Sequence, residues 1–157
     1  MEIIEYQEPY KMQVADVITK IQQEEFHIAI TLEDQPDLLE IQEFYIAGGG
    51  NFWLAMDGDQ VVGTIALIRL ENRNLALRKM FVKKEYRRHK VGQLLLDTAT
   101  KFAKENGYKA IYLGTITTFE AAIAFYKKNE FEALAITEFP ADFPVVAVDN
   151  VFLKKEL

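Results

Sequence analysis

The stretch Met80-Phe81-Val82-Lys83-Lys84-Glu85-Tyr86-Arg87-Arg88-His89-Lys90-Val91-Gly92-Gln93-Leu94-Leu95-Leu96 runs from an extended apolar segment through a basic loop into an amphipathic helix. The rest of the chain is read from this succession. A helix that begins just after such a loop turns several unpaired backbone N–H groups, and the positive end of its macrodipole, toward the loop. That arrangement suits a polyanion such as a pyrophosphate. Residues 69–90 hold nine of the 18 Lys and Arg against two carboxylates, whereas residues 1–68 hold two basic and thirteen acidic side chains, and the whole chain carries −6. One basic segment is set apart in an acidic chain. Nucleic acid is not an expected partner, because the remaining surface would repel a phosphate backbone.

Composition bounds the rest. A chain of 157 residues, 50% hydrophobic and 27% charged, is expected to form one domain spanning residues 1–157. It has no cysteine, which excludes a disulfide framework, a thiolate metal site and a thiol nucleophile. Its two histidines, His27 and His89, are far apart, so no metal is expected. Met1-Glu2-Ile3-Ile4-Glu5 lacks the basic-then-apolar pattern of a leader, and no apolar run approaches the ~20 residues of a membrane span. A cytoplasmic location without membrane contact is the expectation.

Periodicity predicts alternating elements. Ile3–Gln7 reads as a short strand, and Val14, Val17, Ile18 and Ile21 mark a helix over about 9–25. A second helix is predicted after Pro36, carrying Leu38, Leu39, Ile41, Phe44 and Tyr45 and ending at Gly48-Gly49-Gly50. Segments 52–56 and 60–70 flank Asp57-Gly58-Asp59, a hairpin signal, and a further strand spans about 75–82. The helix after the basic loop carries Val91, Leu94, Leu95, Ala99, Phe102 and Ala103 on one stripe and is closed by Gly107. Then come a strand at 110–113, a helix at 119–128, and strands at 131–137 and 145–153.

The loop Arg87-Arg88-His89-Lys90-Val91-Gly92 resembles the pyrophosphate loop of the GCN5-related N-acetyltransferases (GNAT family), Arg or Gln, two residues, Gly, one residue, then Gly or Ala. Arg87 and Gly92 fill the end positions; Lys90 stands where the pattern has its central glycine. The segment from Phe119 to Phe131 is similar to the same family's Ala-Ile-x-x-Tyr helix and Gly-Phe step, matching at Ala122, Ile123, Phe125, Tyr126 and Phe131. Phe119 replaces an asparagine that often opens that helix. Glu130 replaces the glycine, and the helix cap is expected to shift to Asn129.

The resemblance implies an α/β fold of the α+β kind: a mixed central sheet of about seven strands with about four helices, splayed near the cofactor site. It implies acetyl-CoA as the cofactor, direct transfer of the acetyl group to a primary amine, and no covalent enzyme intermediate. Arg87, Arg88, His89, Lys90, Val91 and Gly92 would hold the pyrophosphate. The backbone of Met80, Phe81 and Val82 would hold the pantetheine and polarise the thioester carbonyl. Lys79 would alternate with them toward the site. Tyr126 would act as the acid that protonates the departing thiolate. The strand glutamate of some members is Ala76 here, which leaves Glu71, Glu120 and His27 as candidate bases by residue type only. Glu24, Glu25, Glu33, Asp34, Asp37, Glu40 and Glu43 are expected to frame the acceptor side, favouring a cationic small-molecule or peptide amine over a zwitterionic one. A homodimer is left open, as are two other readings: a CoA-binding module of this fold with impaired catalysis, and an acidic interaction protein for a basic partner.

Overall fold

The computed structural model describes residues 1–157. Seven strands form one sheet: β1 (Glu2–Glu5), β2 (Asn51–Asp57), β3 (Gln60–Leu70), β4 (Asn74–Val82), β5 (Ala110–Thr115), β6 (Glu132–Ala133) and β7 (Val151–Glu156). Their order is β1-β2-β3-β4-β5-β7-β6. Every neighbouring pair is antiparallel except β4 and β5, which run parallel because the helix α2 (Val91–Glu105) carries the chain back over the sheet. The β2–β3 hairpin turns at Gly58-Asp59, with Gly58 in the left-handed region at φ 59°, as the Asp-Gly signal requires.

The two faces of the sheet are filled by different helices. On one, α2 lays Val91, Leu95, Leu96, Ala99 and Ala103 against Trp53, Ile65, Leu67, Leu75 and Leu77, all buried. On the other, α1 (Lys11–Lys20) runs on through a wide π-type turn, Ile21–Glu25, and packs Val14, Val17 and Ile18 against Phe52, Leu54 and Ala66. A smaller cluster of Leu70, Ala76, Tyr112, Phe139 and Phe143 closes the second face beyond β4. A short third helix, α3 (Glu120–Lys128), brings Tyr126 into the first cluster beside Phe131. No helix is long and apolar enough to cross a membrane.

Three predicted elements differ. The helix after Pro36 is two separate turns, Pro36–Leu39 and Gln42–Ile46, because Glu40 leaves the helical region at φ −135°. Leu38, Ile41 and Tyr45 reach the core, whereas Leu39 and Phe44, expected on the same helix, are exposed because the broken backbone turns them outward. The strand predicted at 131–137 shrinks to Glu132–Ala133 and gives way to a tight turn at Ile136–Glu138. The last strand starts at Val151 instead of Val145: Val145, Val146 and Val148 are exposed, and the Asp149 N–H closes a turn on the Val146 carbonyl at 3.0 Å. An apolar run without a ladder partner is not a strand.

Leu95 is fully buried at the centre of the first cluster. Leu95→Ala should therefore lower the unfolding free energy by about 2–5 kcal/mol, measured by urea denaturation. A loss under 1 kcal/mol would mean that α2 is not packed as described.

Candidate functional site

The site is built on a break in the sheet. The parallel ladder between β4 and β5 consists of Asn74 with Ala110, Leu75 with Ile111 and Ala76 with Tyr112, and it ends there. Each strand continues, β4 along β3 as far as Val82 and β5 along β7 as far as Thr115. From Leu77 to Val82, the edge of β4 facing β5 therefore carries no ladder. A bulge sharpens the divergence. Thr64 pairs with Phe81 but Ala66 with Arg78, so Lys79 is the extra residue, in the left-handed region at φ 52°, with its carbonyl accepting from Thr64 Oγ1 at 2.6 Å. Bulges of this kind increase local twist and re-aim side chains.

The basic loop coils as a tight turn, Lys84–His89, and delivers Lys90 in the left-handed conformation, φ 59°, ψ 20°, immediately before α2. Lysine thus adopts the backbone shape for which a glycine is suited. The first bond of the helix runs from the Leu94 N–H to the Lys90 carbonyl at 3.0 Å, leaving the N–H groups of Val91, Gly92 and Gln93 without an intrahelical acceptor. A Cβ placed on Gly92 would lie 3.7 Å from Met80 and 3.8 Å from Phe125, ordinary contact distances. Nothing inside the protein demands glycine there. Arg88, His89 and Lys90 are exposed, whereas Arg87 is held: its guanidinium pairs with Glu25, and its Nε donates to the Val82 carbonyl at 3.0 Å. Met80, Phe81 and Val82 are half-buried at the end of β4.

The end of α1 spans the mouth of the break. Glu25 grips Arg87 on the β4 side, and the Phe26 ring lies 4.6 Å from that of Phe119 at the start of α3. Phe119 thus gives up the capping role of an asparagine for an aromatic contact. At the other end of α3, the left-handed residue is Glu130 at φ 71°, with Asn129 at φ −97°; the cap has not moved to Asn129. Asn129 instead exchanges side-chain hydrogen bonds with Gln93 at 2.8 and 3.2 Å, tying α3 to α2. Tyr126 is buried between Phe125 and Phe131, at ring distances of 5.7 and 5.5 Å, and burial alone pushes its phenol well above the usual range.

Behind the break lies a cleft of about 200 Å³ lined by Gln22, Leu77, Arg78, Lys79, Phe81, Gly114, Phe143, Pro144, Val146 and Asp149. Lys79 is buried and donates to Gln35 Oε1 at 2.5 Å, with Asp37 Oδ2 3.7 Å away. Gln35 exchanges hydrogen bonds with Gln22, and Asp37 accepts from the Tyr45 hydroxyl at 2.5 Å. Burial lowers the Lys79 amine to about 8 in spite of Asp37. Glu71, Glu120 and His27, the bases named by type, do not line this cleft. Asp149 does, and sequence reading missed it. Its carboxylate lies over Gly114, where an added Cβ would meet Oδ2 at 2.7 Å; burial raises its pKa and Arg78 opposes the rise. The available signal was Gly114 itself, a glycine inside a strand and so a mark of close approach. Of the seven carboxylates expected to frame the acceptor side, Glu25 and Asp37 are engaged by Arg87 and Lys79, and Asp34 accepts from the Thr31 N–H at 3.0 Å.

Residues 15–131 match the family model described as Acetyltransferase (GNAT) family. The chain belongs to the GNAT family. A GNAT-family acetyltransferase from Staphylococcus aureus Mu50 superposes with a TM-score of 0.95 at 45% identity, over 99% of this chain and 98% of that one. The PaiA N-acetyltransferase of Thermoplasma acidophilum, solved in complex with coenzyme A, shares the fold at TM-score 0.73 and 18% identity, over 99% and 98% of the two chains. N-acetyltransferase 8F1 of Rattus norvegicus is 30% identical over 75% of this chain and 56% of its own length. The chain thus spans about half the length of such curated relatives.

Because the Lys79 amine is held near 8, well below the value of an unfolded lysine, the unfolded chain binds the extra proton between those two values, and stability rises with pH there. Unfolding free energy should climb by on the order of 1–3 kcal/mol from pH 8 to 10. Near pH 10 the gain should end, because Tyr6, Tyr45 and Tyr126 hold their protons in the fold beyond the pH at which unfolded tyrosines ionise. Lys155, less buried, acts in the same direction as Lys79. Urea titrations at several pH values should show most of this rise disappear in Lys79→Met; an unchanged slope would contradict the placement of Lys79.

Proposed function

We propose that this chain is an acetyl-CoA-dependent N-acetyltransferase that transfers the acetyl group to a primary amine by direct attack. The observation that carries the reading is the end of the β4–β5 ladder at Ala76 and Tyr112, with the unpaired N-terminus of α2 beside the opening. The residues present fit the cofactor. No protein atom outside the adjoining helix lies closer than 3.7 Å to the Cβ position of Gly92, the Val91, Gly92 and Gln93 N–H groups suit a pyrophosphate, and Arg88, His89 and Lys90 surround it with exposed donors. The coenzyme A complex of the Thermoplasma relative supports the same choice.

When bound, the cofactor supplies an acyl carbon activated as a thioester. The chain's own residues would do the rest. Arg87 acts mainly by position, fixing the loop to Glu25 and to the end of β4. The open edge of β4 at Met80 and Val82 offers backbone donors where carbonyl charge develops, while Phe81 between them pairs with Thr64 in the β3 ladder; such fixed dipoles need no reorganisation during reaction. The Tyr126 phenol, kept protonated by burial, is the donor for the leaving sulfur. Lys90 and Glu130 both take up left-handed backbone, so the departures from the family pattern preserve the loop and cap shapes. This favours an active enzyme over an impaired module.

Acetyl-CoA at a hundred times its dissociation constant should stabilise the protein by about 2.7 kcal/mol, read from the thermal midpoint. Gly92→Glu puts bulk and negative charge at the pyrophosphate position and should abolish that gain; full retention would overturn the loop assignment. Tyr126→Phe should lower kcat roughly 10²-fold with acetyl-CoA affinity nearly unchanged. An unaltered kcat under chemistry-limited conditions would reduce Tyr126 to packing.

A further inference from the structure

Two side chains in the cleft carry charges that the fold does not neutralise. Arg78 and Asp149 both line it, yet neither takes part in any of the salt bridges of the protein, whereas the neighbouring charges Lys79, Asp37, Arg87 and Glu25 are all paired. They face each other across the break. Continuing the register of Asn74 with Ala110 and Ala76 with Tyr112 would set Arg78 opposite Gly114, and Asp149 is the residue whose carboxylate covers Gly114. Each feels the other, since Arg78 holds down the Asp149 pKa that burial pushes up. A half-buried cation and a half-buried carboxylate held apart over a gap leave both partly desolvated without a direct contact, unless something bridges them.

Local construction keeps both groups in place. The bulge at Lys79 lets Arg78 and Lys79, consecutive in sequence, line the same cleft instead of pointing to opposite faces. Asp149 is fixed from both sides. Its N–H closes the turn on Val146, and next to it Asn150 donates its N–H to the Thr115 carbonyl at 2.9 Å and accepts from the Thr117 N–H at 2.9 Å. Gly114 is what makes room for the carboxylate. The cleft, at about 200 Å³, lies below the roughly 300–1,000 Å³ of sites for drug-sized ligands.

We propose that the acceptor is a small amino-carboxylate, an amine with a carboxylate a few bonds away as in a free α-amino acid, whose ammonium is held by Asp149 and whose carboxylate is held by Arg78. This rests on the acetyltransferase reading and names the substrate class of the same site. It also departs from the cationic acceptor expected from the acidic N-terminal half, because the carboxylates of that half that approach the site are already paired or lie outside the cleft. Asp149 also removes the proton that blocks attack. The ammonium gives one proton to the Asp149 carboxylate, which later releases it to water; the nitrogen lone pair forms the C–N bond as the C–S bond breaks; sulfur takes its proton from Tyr126, and the second proton lost from nitrogen restores the phenol. The charged groups facing Asp149 are Arg78 and Lys79 from β4, with Asp37 behind Lys79.

The test uses the intact protein with free α-amino acids, their carboxamides, the decarboxylated amines and a lysine-containing peptide. Acetylation of free amino acids should exceed that of the matched carboxamides by roughly 10- to 100-fold in kcat/KM, the range of a charge-assisted contact. Arg78→Gln should bring that ratio to near unity, and Arg78→Lys should restore part of it. Asp149→Asn should depress kcat/KM for every amine and move the acidic limb of its pH profile. Calorimetry without an acetyl donor should show the preferred amino acid binding the parent and binding Arg78→Gln at least 10-fold more weakly. Equal efficiency for amino acid and carboxamide, preference for the peptide, or a ratio indifferent to Arg78 would overturn the proposal while leaving the acetyltransferase reading intact. If acetyl-CoA binds and no amine of any class is acetylated, that broader reading fails, and this inference with it.

Discussion

Beyond Ala76 and Tyr112, β4 and β5 part company while each stays in a ladder with its other neighbour, and the candidate site depends on that parting. An unpaired strand edge inside a sheet is costly unless something satisfies its N–H and C=O groups. Here the edge opens onto the region where the N-terminus of α2 also presents unpaired donors. The same opening thus offers backbone donors from a strand and from a helix, which suits a long ligand with amides at one end and phosphates at the other.

The bulge at Lys79 links this opening to the interior on the α1 side. It adds one residue to β4, bends the strand, and drives a lysine into the Gln22, Gln35, Asp37 and Tyr45 network. Burying a cation is unfavourable, and here the penalty shows as a lowered pKa that Asp37 only partly offsets. The network ties the segment after Pro36 to the strand that lines the site. Glu25 and Phe26 then bind the end of α1 to both walls of the opening, so that the acidic N-terminal half frames a basic loop through one specific ion pair.

Much of this was legible in the sequence. The hairpin at Asp57-Gly58-Asp59 and the Gly107 terminator of α2, at φ 76°, follow from local rules and appear as read; the α2 stripe does so except that Leu94 is exposed and Leu96 is buried in its place. The basic loop and the α3 motif, legible as two separate stretches of sequence, come together in the fold, where Phe125 lies beside Gly92. Other features were not local. The cap at Glu130 kept its place because the backbone there is fixed by the step into Phe131, whose N–H bonds to the Tyr126 carbonyl at 3.1 Å, whatever the side chain. Segment 145–150 reads as a strand by composition, and only the absence of a ladder partner exposes it as the loop that brings Asp149 over Gly114. A carboxylate delivered from 35 residues away leaves no periodic trace.

The central claim is that the parting of β4 from β5 and the start of α2 form one binding surface for acetyl-CoA. An NMR titration of the isotopically labelled protein with acetyl-CoA tests it most directly. The backbone amides of Met80, Phe81 and Val82 should shift together with those of Val91, Gly92 and Gln93, all with a single saturation curve. Shifts confined to the acidic N-terminal half, or two sets of shifts that saturate at different concentrations, would contradict the account.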